Sequence, residues 1–227
     1  MAQAAQIQDQ FVTLNGKKLH YAVAGRQDRP AVLLVHGGNP SLTWKAWDQN
    51  LGALAEELQV FAFDMPGYGQ SAAYDGVSLE PYPFEQFADV LIDFVAELRI
   101  GPAALIGSSA GGGVCMTAAA NHPALVRRLV LVDSVGAKNT ALRQCAAEVR
   151  SPTLIVWQQE DGTIPVENGR ILESLIPGSH LEVLLGFDRP APEHNNYNGH
   201  WPHRLNPERF NRLVLDFLKT PPIPTPK

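Results

Sequence analysis

The stretch "LIGSSAGGGV", residues 105–114, decides how the rest of the chain is interpreted. An apolar run leads into two adjacent serines, which an alanine and three glycines follow. The five residues from Gly107 to Gly111 fit the pattern G-x-S-x-G, with Ser109 at its centre. Small residues also allow a helix to pack closely against a strand, so the pattern fits a nucleophilic serine and also packing alone.

The flanking sequence helps to separate these two interpretations. Residues 103–106, "AALI", have the short apolar run of a buried strand, and the small residues at 110–121 are typical of a closely packed helix. A sharp turn from strand to helix holds the serine side chain clear of the sheet, next to the free N–H groups of the helix start. We therefore expect Ser109 to be a nucleophile, and Ser108 to be a packing residue or to line the substrate pocket.

Apolar patterns along the chain predict an α/β domain. Short apolar runs, typical of strands buried on both faces, alternate with amphipathic helical patterns. The predicted strands are 31–35, 60–63, 103–106, 125–132, 153–157 and 181–185, and the predicted helices include 43–58 (N-cap Thr43), 84–98, 110–121 and 206–218 (N-cap Asn206). Asn15-Gly16 marks the turn of an antiparallel hairpin over residues 11–24. We expect a mostly parallel sheet with helices on both faces and this hairpin at one edge.

Length and composition limit the classes of function. A chain of 227 residues suits one α/β domain, so we expect a single domain over residues 1–227 with frayed tails at 1–8 and 220–227. The net charge of −5 gives no reason to expect a nucleic acid or a membrane surface as partner. The sequence has neither an apolar run of 18 residues nor a signal-like N-terminus, so a cytoplasmic protein is expected. Two cysteines, Cys115 and Cys145, suggest no metal site, and we expect no metal and no organic cofactor.

A serine hydroxyl needs a base to accept its proton and an acid to orient that base. With a serine in this kind of turn, the chain order is serine, acid, histidine. Two aspartates qualify as the acid: Asp161, shortly after the strand at 153–157, and Asp133, which ends the strand before it. We favour Asp161, although chain order does not separate the two, and Glu160 is a weaker third candidate.

The base is expected after the last strand, where the sequence has His194, His200 and His203. We favour His200, in "NGHWPHR" (198–204), because a loop before the final helix can bring it over the strand ends. His194 lies in a polar segment and is expected to face solvent. His203 is expected to be a pocket or surface residue.

The negative charge that develops on the attacked carbonyl oxygen needs two hydrogen-bond donors. One is expected to be the N–H of Ala110, which follows the nucleophile, and the other comes from the loop "HGGNP" (36–40). Gly38 is our choice in that loop, since a backbone donor that approaches closely needs no side chain. His36 is expected to hold the loop by hydrogen bonds, and Asn39 either lines the pocket or makes a turn before Pro40.

Together these motifs resemble the α/β-hydrolase superfamily over about residues 11–218. The matching blocks are "VLLVHGG", "FAFDMPGYGQS", "LIGSSAGG", "LVLVDS", "LIVWQQEDGTIP" and "GHWPHRLNPERFNRLVLDFL". The resemblance implies that Ser109, Asp161 and His200 are nucleophile, acid and base, and that Gly38 and Ala110 are the oxyanion donors. In "DMPGYGQS" it implies a structural turn, so Asp64 is not expected to be catalytic.

The blocks look most similar to carbon–carbon bond hydrolases of aromatic degradation and to related esterases. "HGGNP" is like their "HGGGP", and a tryptophan such as Trp201 follows their histidine too. Those enzymes carry a helical cap after the "LVDS" strand, whereas residues 134–152 leave no room for one here, as in small capless α/β-hydrolases. The long polar segment 186–199 either replaces part of the cap as a pocket wall or is a surface excursion.

We therefore expect a serine hydrolase that cleaves a small ester or activated carbonyl compound through an acyl-enzyme. Asn39, Ser108 and Trp201 are the predicted substrate-binding residues. One alternative is a carbon–carbon bond hydrolase of a vinylogous diketone. The other is a non-catalytic or slow, receptor-like protein that binds a ligand on the same fold.

Overall fold

The computed structural model describes residues 6–73, 82–188 and 199–220. Eight strands form one sheet in the order β1-β2-β4-β3-β5-β6-β7-β8. The strands are β1 Gln8–Leu14, β2 Lys17–Ala24, β3 Ala31–Val35, β4 Gln59–Phe63, β5 Ala103–Ser108, β6 Val126–Val132, β7 Thr153–Gln158 and β8 His180–Leu184. Strands β3 to β8 are mutually parallel, and β1 and β2 are joined to them as an antiparallel hairpin.

Helices cover both faces of the sheet, which confirms the predicted α/β architecture. They are α1 Asp48–Ala55, α2 Phe84–Glu97, α3 Ala110–Asn121, α4 Thr140–Glu148, α5 Glu167–Leu175, α6 Pro202–Leu205 and α7 Pro207–Lys219. One core lies under α2 to α5, and a second lies under α1 and α7. Within the described ranges, no helix combines the length and the apolar character needed to cross a membrane.

The structure contains the predicted hairpin turn, and it corrects the residue at which the first strand begins. Asn15 and Gly16 have φ of 50° and 75°, the conformation of the tight turn that Asn-Gly favours. Strand β1 begins at Gln8, inside the segment predicted to be frayed, because Gln8 pairs with Val23 of β2. Residues 1–5 and 221–227 lie outside the described residues.

Two helix starts differ from the sequence prediction. Thr43 caps the first turn as predicted, because its side chain accepts a hydrogen bond from the Lys45 N–H. That turn, Trp44–Trp47, is a 3-10 helix, and the α-helix begins only at Asp48. The helix α1 ends at Ala55 rather than near residue 58. Asn206 occupies the N-cap position of α7 without a side-chain cap. Its Nδ2 donates instead to Gln158 Oε1 at 2.8 Å and to Gly186 O at 3.1 Å, and so ties the helix start to the strand ends.

The parallel strands carry the predicted site residues to one edge of the sheet. Ser109 directly follows β5, Asp133 directly follows β6, and Asp161 lies three residues beyond β7. Strands β5, β6 and β7 are consecutive in the sheet, so their carboxyl ends are neighbours. In open parallel sheets this edge is where ligands bind.

The predicted position of His203 is wrong, because the side chain is part of the core. It is 1% exposed, and its ring stacks on Trp47 at a centroid distance of 4.2 Å. Neither ring nitrogen has a hydrogen-bond partner in the described part of the chain. Burial lowers the pKa of His203 well below its usual value, and the charges of Arg204 and His200 lower it further.

We predict that His203→Phe reduces the loss of stability in acid. The unfolded chain binds a proton at His203 below about pH 6.5 and the folded chain does not, so the free energy of unfolding falls by up to about 1.4 kcal/mol per pH unit below that point. Phenylalanine removes this contribution and a buried polar ring. Urea unfolding at pH 7.5 and pH 5 measures the difference.

The control is His180→Phe, since His180 is 67% exposed at the surface. It should retain the pH dependence of the parent protein. An equal loss of stability between the two pH values in His203→Phe and in the parent would contradict the prediction.

Candidate active site

Ser109 stands at a sharp turn between β5 and α3 with φ 55° and ψ −120°. The turn is possible because of the glycines on either side. A Cβ on Gly107 would overlap the carbonyl group of Gly111, and a Cβ on Gly111 would overlap the carbonyl group of His36. The small residues therefore allow close packing, and this packing holds the strained backbone of Ser109.

The main chain of Ser109 is held against the end of β6. Its N–H donates to Val132 O at 2.9 Å, and its carbonyl accepts from the Val135 N–H at 3.1 Å. The side chain of Ser109 is partly exposed, whereas Ser108 is 2% exposed and its hydroxyl has no partner within the described ranges. This burial favours the packing interpretation of Ser108.

His200 and Asp161 form a buried hydrogen-bonded pair. His200 Nδ1 lies 2.7 Å from Asp161 Oδ2. The other carboxylate oxygen, Asp161 Oδ1, accepts from the backbone N–H groups of Thr163 at 2.8 Å and Ile164 at 2.9 Å. These donors fix the carboxylate, which in turn orients the imidazole so that Nε2 is the nitrogen left for other partners.

Asp133, the alternative acid, lies close to the same ring nitrogen. Its Oδ2 is 3.8 Å from His200 Nδ1, beyond hydrogen-bond distance, and its Oδ1 accepts from the Gln158 N–H at 3.0 Å. Burial, and then the charge of Asp161, raise the pKa of Asp133 well above its usual value. Asp161 is therefore the better placed of the two aspartates.

Glu160 does not serve as an acid for His200 in this structure. Its Oε1 accepts from the Gly186 N–H at 3.0 Å, and its Oε2 accepts from the Gln158 side chain. These hydrogen bonds tie the turn after β7 to the chain after β8. The Glu160 side chain therefore has a structural role, which is to hold this turn in place.

His36 holds the loop "HGGNP" in place by hydrogen bonds, as the sequence predicted. His36 Nδ1–H donates to Gly37 O at 2.8 Å, and Nε2 accepts from the Met65 N–H at 3.1 Å. Burial lowers the pKa of His36 to about 4, so the ring is neutral and keeps one donor and one acceptor. This loop contains Gly38, the residue that was predicted to stabilise the oxyanion.

Gly38 lies against the start of α3. A Cβ on Gly38 would be 3.1 Å from the Ala110 Cβ and 2.9 Å from Tyr82 Cε2, so a side chain at this position has no room. Tyr68 Oη donates to Gly38 O at 2.9 Å and so fixes the orientation of the peptide group between Gly38 and Asn39. Ala110 is the first residue of α3, so its N–H has no acceptor within the helix.

Tyr68 and Tyr82 were not identified as site residues from the sequence. Tyr68 lies in "DMPGYGQS", where the pattern indicates only a structural turn, and Tyr82 precedes a helix. Burial raises the pKa of Tyr82, so this phenol remains neutral beside the loop. No local pattern predicts that either ring reaches Gly38.

The other predicted site residues are placed as follows. Asn39 Oδ1 accepts from the backbone N–H of Ser41 at 2.9 Å and from its hydroxyl at 2.8 Å, which favours the turn interpretation. Trp201 is partly exposed, and its ring centroid lies 6.5 Å from that of His200. His194 and residues 189–198 of the long polar segment lie outside the described residues.

A cleft of about 350 Å³ lies between the chain that follows β6 and the turn that follows β7, and its lining does not include Ser109, Asp161 or His200. Val135, whose N–H bonds to the Ser109 carbonyl, lines it, and so do Lys138 and Asn168. Between β6 and β7 the chain forms a single nine-residue helix, α4. The edge of the sheet is therefore not covered by a helical cap at this point.

Comparison with known proteins identifies the family. Residues 30–144, about half of the chain, match the family model described as alpha/beta hydrolase fold, and the chain belongs to this family. An uncharacterised protein of Mycobacterium tuberculosis (strain ATCC 25618 / H37Rv) is 24% identical over 93% of this chain and 81% of its own length. That alignment runs over 296 positions, so the relative has residues without a counterpart in these 227.

Two further matches carry hydrolase names. A 2-hydroxymuconate semialdehyde hydrolase from Pseudomonas sp. (strain CF600) is 35% identical over 106 residues, which are 46% of this chain and 36% of that enzyme. A solved structure of a CIB-like hydrolase from Thermoplasma acidophilum has a TM-score of 0.81 and 25% identity, over 94% of this chain and 98% of that one. These matches support a hydrolase and confirm the fold class.

The close approach at the turn predicts a large effect of Gly111→Ala. The added Cβ would lie 2.5 Å from Val35 O and still closer to His36 O, and both atoms belong to backbone that cannot move independently. We expect the free energy of unfolding to fall by about 3 kcal/mol. Urea unfolding followed by circular dichroism measures it.

Gly52→Ala is the matched control, because Gly52 lies in α1 and a Cβ there meets nothing within 4 Å. This variant should gain stability, by about 1 kcal/mol. A loss of less than about 1 kcal/mol in Gly111→Ala would show that the turn is not packed as described.

Proposed function

We propose that this protein is a serine hydrolase that cleaves a small ester or a similarly activated carbonyl compound through an acyl-enzyme. The observation that carries the proposal is the Asp161–His200 pair, hydrogen-bonded at 2.7 Å, at the sheet edge where the strained turn presents Ser109. The family is shared by many hydrolases, and the site rather than the fold supports this reaction.

The reaction uses the three residues in sequence. Ser109 Oγ attacks the carbonyl carbon while His200 Nε2 accepts its proton, and Asp161 stabilises the imidazolium at Nδ1. His200 then gives the proton to the leaving alcohol, and the acyl group remains on Ser109. Water attacks the acyl-enzyme with His200 again accepting a proton, and the carboxylic acid is released as Ser109 regains its hydroxyl hydrogen.

The N–H groups of Gly38 and Ala110 are the proposed oxyanion donors. The loop hydrogen bonds of His36 and Tyr68 use the Gly37 and Gly38 carbonyls and therefore do not occupy the Gly38 N–H. The positive end of the α3 dipole adds to the stabilisation at Ala110. A donor of this kind contributes about 10²–10³-fold to the rate in serine hydrolases.

The open sheet edge favours small substrates with an exposed, reactive carbonyl. Only α4 stands between β6 and β7, so no helical cap in this connection supplies contacts to a large substrate. Trp201, which is partly exposed beside His200, is the proposed contact to substrate, whereas the Asn39 side chain is used in its turn and Ser108 is a buried packing residue. Neither a metal nor an organic cofactor takes part in the proposed reaction.

A carbon–carbon bond hydrolase is the second candidate. The relative named 2-hydroxymuconate semialdehyde hydrolase, the "HGGNP" loop and Trp201 favour it. The nine-residue α4 disfavours it, since a cap that would grip a long dienoate has no counterpart between β6 and β7. A panel of simple esters and one vinylogous dienoate separates the two, because a carbon–carbon hydrolase turns over the dienoate faster.

We predict that a fluorophosphonate probe labels the parent protein covalently and does not label Ser109→Ala. The probe phosphonylates a serine hydroxyl whose proton a neighbouring base removes, so labelling reports the activated nucleophile. Gel fluorescence and peptide mass spectrometry measure it.

Ser108→Ala is the matched control, because it removes the adjacent buried hydroxyl and leaves Ser109 in place. It should label at a rate within about threefold of the parent. Equal labelling of Ser109→Ala and parent would refute the proposed nucleophile, and tight binding of an ester without turnover would favour the receptor-like alternative.

A further inference from the structure

The site holds one more carboxyl group than a serine, histidine and acid arrangement requires. Asp133 is fully buried, and its Oδ2 has no hydrogen-bond partner within the described ranges. That oxygen lies 3.8 Å from His200 Nδ1, the nitrogen that Asp161 already occupies. A buried carboxylate oxygen without a donor costs free energy, so its state needs an explanation.

The two carboxyl groups lie too close together for both to be charged. Atoms of Asp133, Asp161 and His200 lie within 4.8 Å of one another, and all three side chains are buried. Like charges at this distance disfavour double ionisation, and one proton shared by the pair removes the repulsion. The proton also turns one acceptor into a donor.

Hydrogen-bond counts decide which carboxyl keeps the charge. Asp161 receives two backbone N–H groups and the imidazole N–H, which stabilise a carboxylate. Asp133 receives only the Gln158 N–H among the described residues. The titratable groups that face Asp133 within the described ranges are Asp161 and His200, so the proton belongs on Asp133.

We propose that Asp133 is a positioning residue whose protonated carboxyl group donates a hydrogen bond to the Asp161 carboxylate. When the Asp161 carboxylate is removed, Asp133 releases this proton to solvent and its carboxylate accepts from His200 Nδ1–H. The inference rests on the proposed serine hydrolase function. In the native cycle the pair holds one proton and one negative charge throughout, and neither carboxyl group bonds to substrate. The exchange of partner requires a shift of about 1 Å at Asp133 Oδ2, from 3.8 Å to hydrogen-bond distance.

Sheet topology makes this exchange feasible. β6 and β7 are paired in parallel, with Val132 opposite Val156, so the residues that follow them reach the same side of His200. Asp133 has a left-handed backbone with φ 42°, like Ser109 before α3. Both residues directly follow a strand, and the strained conformation turns each side chain out of the strand direction.

The test is a cycle of Asp133→Asn, Asp161→Asn and the double variant, with hydrolysis of an activated ester as the assay. We expect Asp133→Asn to lower kcat less than threefold, since the Asn amide can donate to Asp161 and its Oδ1 can accept from Gln158. In the Asp161→Asn background the same change should lower kcat at least tenfold with little change in KM. Equal factors in the two backgrounds would overturn the proposal, because a merely structural role acts alike in both.

Glu160→Gln supplies the matched control, since this neighbouring carboxylate bonds to Gly186 and Gln158 rather than to His200. Its effect should be the same with and without the Asp161 carboxylate. If Glu160→Gln had a larger effect in the Asp161→Asn background, the non-additive loss of kcat would come from a disturbed turn after β7. That result would overturn the role proposed for Asp133.

Difference infrared spectroscopy of the parent against Asp133→Asn tests the proton directly and needs no double variant to fold. A protonated carboxyl band at neutral pH that disappears in Asp133→Asn supports the proposal, and absence of the band overturns it.

Fluorophosphonate labelling distinguishes failure of the proposed hydrolase function from failure of the role proposed for Asp133. If Ser109 labels and the cycle is additive, only the role of Asp133 fails, whereas an unlabelled Ser109 removes the proposed function and this inference with it.

Discussion

The backbone conformation of Ser109 is the constraint on which the site depends. A non-glycine residue at φ 55° and ψ −120° costs about 1–3 kcal/mol, which the surroundings must offset. Backbone hydrogen bonds to Val132 and Val135 contribute, and Gly107 and Gly111 let the strand and helix approach closely enough to hold the turn. The same contacts place the serine at the junction of β5, β6 and α3, so Asp133 and Asp161, which follow β6 and β7, are positioned relative to it by the sheet itself.

Burial then sets the charge of the groups around this turn. His36 is neutral because its burial is not balanced by a nearby charge strong enough to hold a proton, and it therefore keeps the donor and acceptor that fix the loop. Asp161 is buried as well, and its carboxyl oxygens lie within hydrogen-bond distance of the Thr163 and Ile164 N–H groups and of His200 Nδ1, which holds the group in place. Asp133 accepts from one backbone N–H among the described residues, and its burial, followed by the charge of Asp161, raises its pKa.

Local patterns predicted most of the fold, because each strand and helix has a strong apolar signature of its own. They also placed Ser109, Asp161 and His200 on loops at one sheet edge, since strand ends determine that edge. The distance between Asp133 and His200 could not be predicted, because it depends on how β6 and β7 pair. The contacts of Tyr68 and Tyr82 with the Gly38 loop, and the burial of His203 on Trp47, also depend on long-range packing that periodicity does not encode.

The chain between β6 and β7 decides how much of the selectivity can come from shape. A nine-residue α4 is the one helix between β6 and β7, so no cap in this connection excludes water or supplies contacts that would distinguish one acyl group from another. Water also raises the local dielectric constant and weakens electrostatic stabilisation of the oxyanion. The rate must then depend on donors that are fixed before substrate arrives, and His36 and Tyr68 fix the Gly38 peptide in this way. In the reaction proposed above, such a site would select by the reactivity of the carbonyl more than by the shape of its substituents, which favours activated esters over amides as its substrates.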